Sequence, residues 1–128
     1  MIWILLAALL MGGGSVAIGT LATGESLDAL KSQIQHTVKD PERVRAAHQV
    51  AERWHDAGKD YFKAAHADQE ALIALAKRHD AARAEVEAVN RRMDQRDAQA
   101  QHEFVAIRGS LRKALTREEW TALFKEAR

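Results

Sequence analysis

The chain has 128 residues, a formal net charge of +1 from 19 basic and 18 acidic side chains, and no cysteine. One domain is the most it can build; disulfides and thiolate chemistry are excluded, and no nucleic-acid partner is expected, because the most basic run, Asn90 to Asp97, is broken by Asp94 and Asp97. Beyond the first 24 residues the chain is dense in Ala, Glu, Arg, Lys, Gln and Leu with a single proline, Pro41, which predicts an all-α fold of long helices.

The first 24 residues carry no charged side chain. Ile2 to Ala22 would span about 30 Å as a helix, the thickness of a bilayer core. Two readings of residues 1–24 compete. As a signal peptide, Ile2 to Met11 is the apolar core and Ala22-Thr23-Gly24 the small-residue cleavage site. As an uncleaved transmembrane helix, it has the right length and a small-xxx-small face, Ser15 to Gly19, for pairing with another helix. No Lys or Arg precedes the apolar run, which favours the anchor.

Residues 25–40 read as a short amphipathic linker helix, with Leu27, Leu30, Ile34 and Val38 at steps of three and four. Asp40-Pro41 then starts a new helix, an N-cap followed by the residue type best suited to the first turn. From here an apolar seam runs through Ala47, Ala51, Trp54, Gly58, Tyr61 and Ala65. It continues through Leu72, Leu75, His79, Ala82, Val86, Val89 and Met93, and ends with Ala100, Phe104, Ile107 and Leu111. Its 3.5-residue period marks helices crossing at a shallow angle. One unbroken helix from Pro41 to Ala114 would be about 110 Å long, implausible in so small a domain. Residues 41–128 are therefore expected to fold as an antiparallel helical hairpin. Its turn is expected at His66 to Gln69, where Asp68 interrupts the seam and can cap a second helix; Asn90 to Asp97 is the alternative. Gly109-Ser110 is expected to loosen the second arm. Thr116-Arg117-Glu118-Glu119 then reads as a capping box that opens a last short helix carrying Trp120. Alanines in the seam bury little area each, so a homodimer or a helical membrane partner is expected to complete the packing.

The chain carries no nucleophile elbow, zinc-protease helix or phosphate loop, so no enzyme activity is expected. His48, Glu52 and His55 share one helix face and are the candidate ligands for a divalent transition metal. The two histidines are about 10.5 Å apart along the axis, too far to hold one ion together without distortion. A solvated polar face is the competing reading. Trp54, Tyr61 and Phe62 are expected either to form the aromatic core of the hairpin or to line a groove for a client or partner.

Leu115-Thr116-Arg117-Glu118-Glu119 resembles the Leu-Thr-x-x-Gln motif of periplasmic helical-hairpin proteins, a group of envelope-stress chaperones and membrane-anchored heavy-metal-resistance sensors. The likeness covers Asp68 to Phe124. Glu119 stands where the motif has glutamine, and Val38 to Arg43 is only a faint echo of a first copy. The resemblance implies a dimeric, non-catalytic helical cradle that binds unfolded proteins or senses metal. It assigns Leu115, Thr116 and Glu119, with Trp120 beside them, to a structural corner. Taken together, the expectation is a single-pass inner-membrane protein whose soluble part lies in the periplasm, or a secreted periplasmic protein if the N-terminal segment is cleaved. Its role would lie in envelope stress or metal response. A structural coiled-coil tether, or accessory subunit of a membrane assembly, is the alternative.

Overall fold

The computed structural model describes residues 21–124. All of its regular structure is helical: α1 (Gly24–Thr37), α2 (Pro41–Lys77), α3 (Arg83–Ala114) and α4 (Arg117–Phe124). The membrane anchor expected over residues 1–24 lies almost wholly outside the described residues. Among the described residues, no helix is long and apolar enough to cross a membrane.

Local chemistry starts the helices where expected, with one exception. The Thr23 hydroxyl accepts from the Ser26 amide at 3.2 Å to open α1. The Asp40 carboxylate accepts from the Glu42 amide at 3.0 Å, with Pro41 as the first residue of α2. The exception is the hairpin turn. Neither His66–Gln69 nor Asn90–Asp97 turns: α2 runs unbroken for 37 residues, about 55 Å. The chain reverses instead over residues 78–82, and α3 continues through Asn90 to Asp97. Arg78 leaves the helix in extended geometry, φ −87° and ψ 129°. Its guanidinium then clasps Asp80 (3.3 Å) and Glu85 (2.9 Å), while Glu85 accepts the Ala82 amide at 2.9 Å. His79, expected on the seam, is exposed in this turn.

Asp68 misled because its charge is satisfied across the hairpin rather than by capping. It is buried and accepts from Arg92 (3.1 Å) and from Arg96. Residues facing each other across the arms straddle the turn evenly: Trp54 meets Phe104, Tyr61 meets Asp97, and Asp68 meets Arg92. The period of the seam was therefore sound along both arms; the position of its reversal was not, and His79 and Ala82, expected on the seam, are exposed at the turn. Nor does Gly109-Ser110 break α3. The Ser110 hydroxyl donates to the Ala106 carbonyl at 3.0 Å, inside a continuous helix.

The core is concentrated at one end. Leu30, Ile34 and Val38 pack with Ala47, Ala51 and Trp54 of α2, with Phe104, Ile107 and Leu111 of α3, and with Leu123 and Phe124 of α4. α1 is thus part of the same core. It lies antiparallel to α2, since Leu21 sits beside His55 and Lys31 between His48 and Glu52. Towards the hairpin tip, little more than Asp68 and Val89 is fully buried.

Candidate functional site

At the base, the corner between α3 and α4 forms as a reciprocal capping box. The Glu119 amide donates to the Thr116 hydroxyl at 3.1 Å, and the Thr116 amide donates to Glu119 Oε2 at 2.9 Å. Arg43, in the first turn of α2, also donates to Glu119 Oε2. Burial disfavours the Glu119 carboxylate, but the Thr116 amide and the Arg43 guanidinium outweigh it and hold its pKa below the ordinary value. Leu115 is buried, and Trp120 packs on Phe124 with ring centroids 4.5 Å apart, under the Arg108 guanidinium. A glutamine at position 119 would keep the amide contacts but lose the ion pair to Arg43. The corner thus closes the base of the fold, and its side chains are turned to one another.

His48, Glu52 and His55 are each bound elsewhere. His48 Nε2 donates to the Lys31 carbonyl at 3.1 Å, and His55 Nδ1 donates to the Leu21 carbonyl at 2.5 Å. A carbonyl only accepts, so those two ring nitrogens carry protons and are closed to a metal. Glu52 pairs with Lys31, which pulls its pKa below the ordinary value by a hydrogen bond and by charge. Among the described residues, no group of three or more His, Asp or Glu side chains is placed to hold a metal ion. The three residues clamp α1 onto α2.

The aromatic trio divides. Trp54 is buried against Phe104, 5.8 Å between centroids, and belongs to the core. Tyr61 is half-buried, its hydroxyl donating to Asp97 at 3.0 Å and its ring lying under the Arg96 guanidinium. Phe62 is 53% exposed, with its edge against Tyr61.

Between the arms, from Gln49 to Ala64 on α2 and Arg96 to Glu103 on α3, lies a groove of about 740 Å³. Its lining includes the small residues Ala57, Ala64 and Ala100, and the acids Glu52, Asp56 and Asp60 at steps of four along α2. One end is stapled by Arg53, which donates from Nε (3.1 Å) and Nη2 (2.9 Å) to Glu103 Oε1. At the other end stands the Asp68–Arg92–Arg96 cluster; Arg96 Nε is buried without a partner among the described residues. This cluster escaped the sequence reading. Its signal was present: a charge of opposite sign interrupts each seam, Asp68 on one arm and Arg96 on the other. Pairing them requires the turn to lie near residue 80.

Comparison with family models, with curated proteins and with solved structures returned no match for this chain. The likeness to the periplasmic helical-hairpin proteins therefore rests on the motif residues alone.

Proposed function

We propose that this chain is a membrane-anchored, periplasmic, non-catalytic binding protein of the envelope stress response, whose hairpin arm receives an unfolded or helical protein segment. The supporting observation is the uneven distribution of its core. The base is packed from four helices and leaves only Val105 (61%) of its large apolar side chains exposed among the described residues, whereas the outer half of the hairpin is two helices with Phe62 (53%) and Ile73 (46%) open to solvent. Two helices bury only one stripe of each, and a third apolar surface is what such an arm lacks. The capping-box corner and its likeness to the envelope-stress chaperones point the same way.

The test is suppression of aggregation of a chemically denatured client at near-stoichiometric ratio by the detergent-solubilised full chain. Phe62→Ala with Ile73→Ala is expected to weaken suppression while leaving thermal stability unchanged. Full suppression by the double variant would remove the hairpin arm from the reading. A purely structural tether is the second reading, favoured by the 37-residue length of α2. It predicts no suppression by either protein, and a stoichiometric membrane partner that co-purifies in detergent.

A further inference from the structure

α3 carries two stripes on opposite sides. One, through Ala100, Phe104, Ile107 and Leu111, is buried in the hairpin. The other runs through Gln95, Ala98, His102, Val105 and Gly109, again at steps of three and four. At 100° per residue it is centred about 180° from the first, on the edge of the hairpin away from α2. All five residues are exposed, and Val105, at 61%, is the most open large apolar side chain among the described residues. In a chain of which 29% is charged, this stripe carries no Asp, Glu, Lys or Arg over about four helical turns. Arg91 and Arg112 close it at its two ends.

Gly109 points to an outside partner independently. Glycine is the poorest helix former after proline, yet it stands inside α3, where a Cβ would meet nothing within 4 Å. Packing within the hairpin gives no reason for it. A side chain approaching from outside does.

The partner that fits is a second copy of the same stripe, crossed antiparallel about a two-fold axis near residue 100. Residues whose numbers sum to 200 then face one another across the seam. His102 meets Ala98 of the second copy, Val105 meets Gln95, Arg91 meets Gly109, and Arg112 meets Ala88. In three of these four layers a large side chain lies over a small one. Along one flank of the seam, Asp94 comes level with Arg108 of the second copy, twice by symmetry. Within its own chain Asp94 has no hydrogen-bond or ion-pair partner among the described residues, and Arg108 has only the Trp120 ring.

We propose that two copies of the chain associate through this outer face of α3, antiparallel, with the Asp94–Arg108 pair formed twice. The face lies on α3, whereas the side chains proposed to receive a client lie on α2, so the two can fail separately.

The seam holds one large apolar side chain per copy, so association is weak and is read against concentration. The test is sedimentation equilibrium of the full chain in density-matched detergent, at low ionic strength so that exposed charge pairs are little screened. The unaltered chain is expected to dimerise reversibly. Asp94→Arg alone and Arg108→Asp alone each set like charges opposite one another and should weaken dimerisation roughly tenfold. An equimolar mixture of these two variants restores opposite charges at both contacts and should recover the original affinity, which no loss of folding can mimic. Gly109→Leu should weaken dimerisation about as much while leaving Tm unchanged or higher, because it fills a gap that exists only between copies. An unaltered chain that stays monomeric across the concentration series would overturn the proposal. So would single variants of undiminished affinity, which would place the contact elsewhere, residues 1–20 included. So would a mixture that associates no better than its components.

Discussion

Asp68→Asn separates the observed hairpin from one turning at His66–Gln69. Were Asp68 a helix N-cap, asparagine would serve almost equally well, and stability would barely move. In the structure Asp68 is instead the shared acceptor of Arg92 and Arg96, and its side chain and that of Arg96 are 12% and 13% exposed. Neutralising one partner of a fully buried ion pair costs about 3–5 kcal/mol. Three features reduce that figure: Arg92 is 56% exposed, Arg96 keeps a second carboxylate, Asp97, at 3.9 Å, and the asparagine oxygen still accepts. About 2 kcal/mol remains, which for a domain of this size lowers Tm by roughly 8–16 °C. Thermal melts of the full chain, followed by circular dichroism at neutral pH, give the number. Asp68→Leu with Arg96→Leu should recover most of the loss, because an apolar pair of similar size replaces both charges. A shift below about 2 °C for Asp68→Asn would refute the cross-hairpin pairing.

Trp54→Ala should cost about 3–5 kcal/mol by opening a cavity beside Phe104, whereas Phe62→Ala should change stability by less than about 0.5 kcal/mol; denaturant titration of the two variants separates core from open face. Thr116→Ala should cost about 1 kcal/mol by removing half of the capping box, and Thr116→Ser should restore most of it in the same titration. Acid should weaken the fold through Glu119, Glu52 and Glu85, whose folded-state pKa values all lie below the ordinary 4.5. A depressed carboxylate contributes stability that is present above its unfolded pKa and lost as pH falls through its folded pKa. Tm should therefore decline from about pH 4.5 downward. Glu119→Gln should flatten part of that decline, and an unchanged acid limb would remove Glu119 from the account.

The start of α2 and the final corner were legible in sequence because each depends on short-range chemistry. Asp40-Pro41 and Thr116–Glu119 carry their own hydrogen-bonding groups, within three residues of the amides they satisfy, whereas α1 was legible from the period of Leu27, Leu30 and Ile34 and its Thr23 cap was not. The seam was legible for the same kind of reason, since a period of three and four places Trp54, Phe104, Ile107 and Leu111 on one side of any helix built from them. The turn was not. Residues 78–82 contain neither glycine nor proline, and Ala82 has no capping side chain, so the signal there is weaker than the false one at Asp68. Only the pairing of Asp68 with Arg92 and Arg96, 24 and 28 residues away, shows which role its carboxylate has. The same holds for His48, Glu52 and His55, which share a helix face and so suggest a site. What they bind is set by α1, whose Lys31 and Leu21 carbonyls and Lys31 amine reach them first. Periodicity determines which side of a helix is buried; which helix buries it, and how far along, was decided by tertiary contacts between charges and carbonyls distant in sequence.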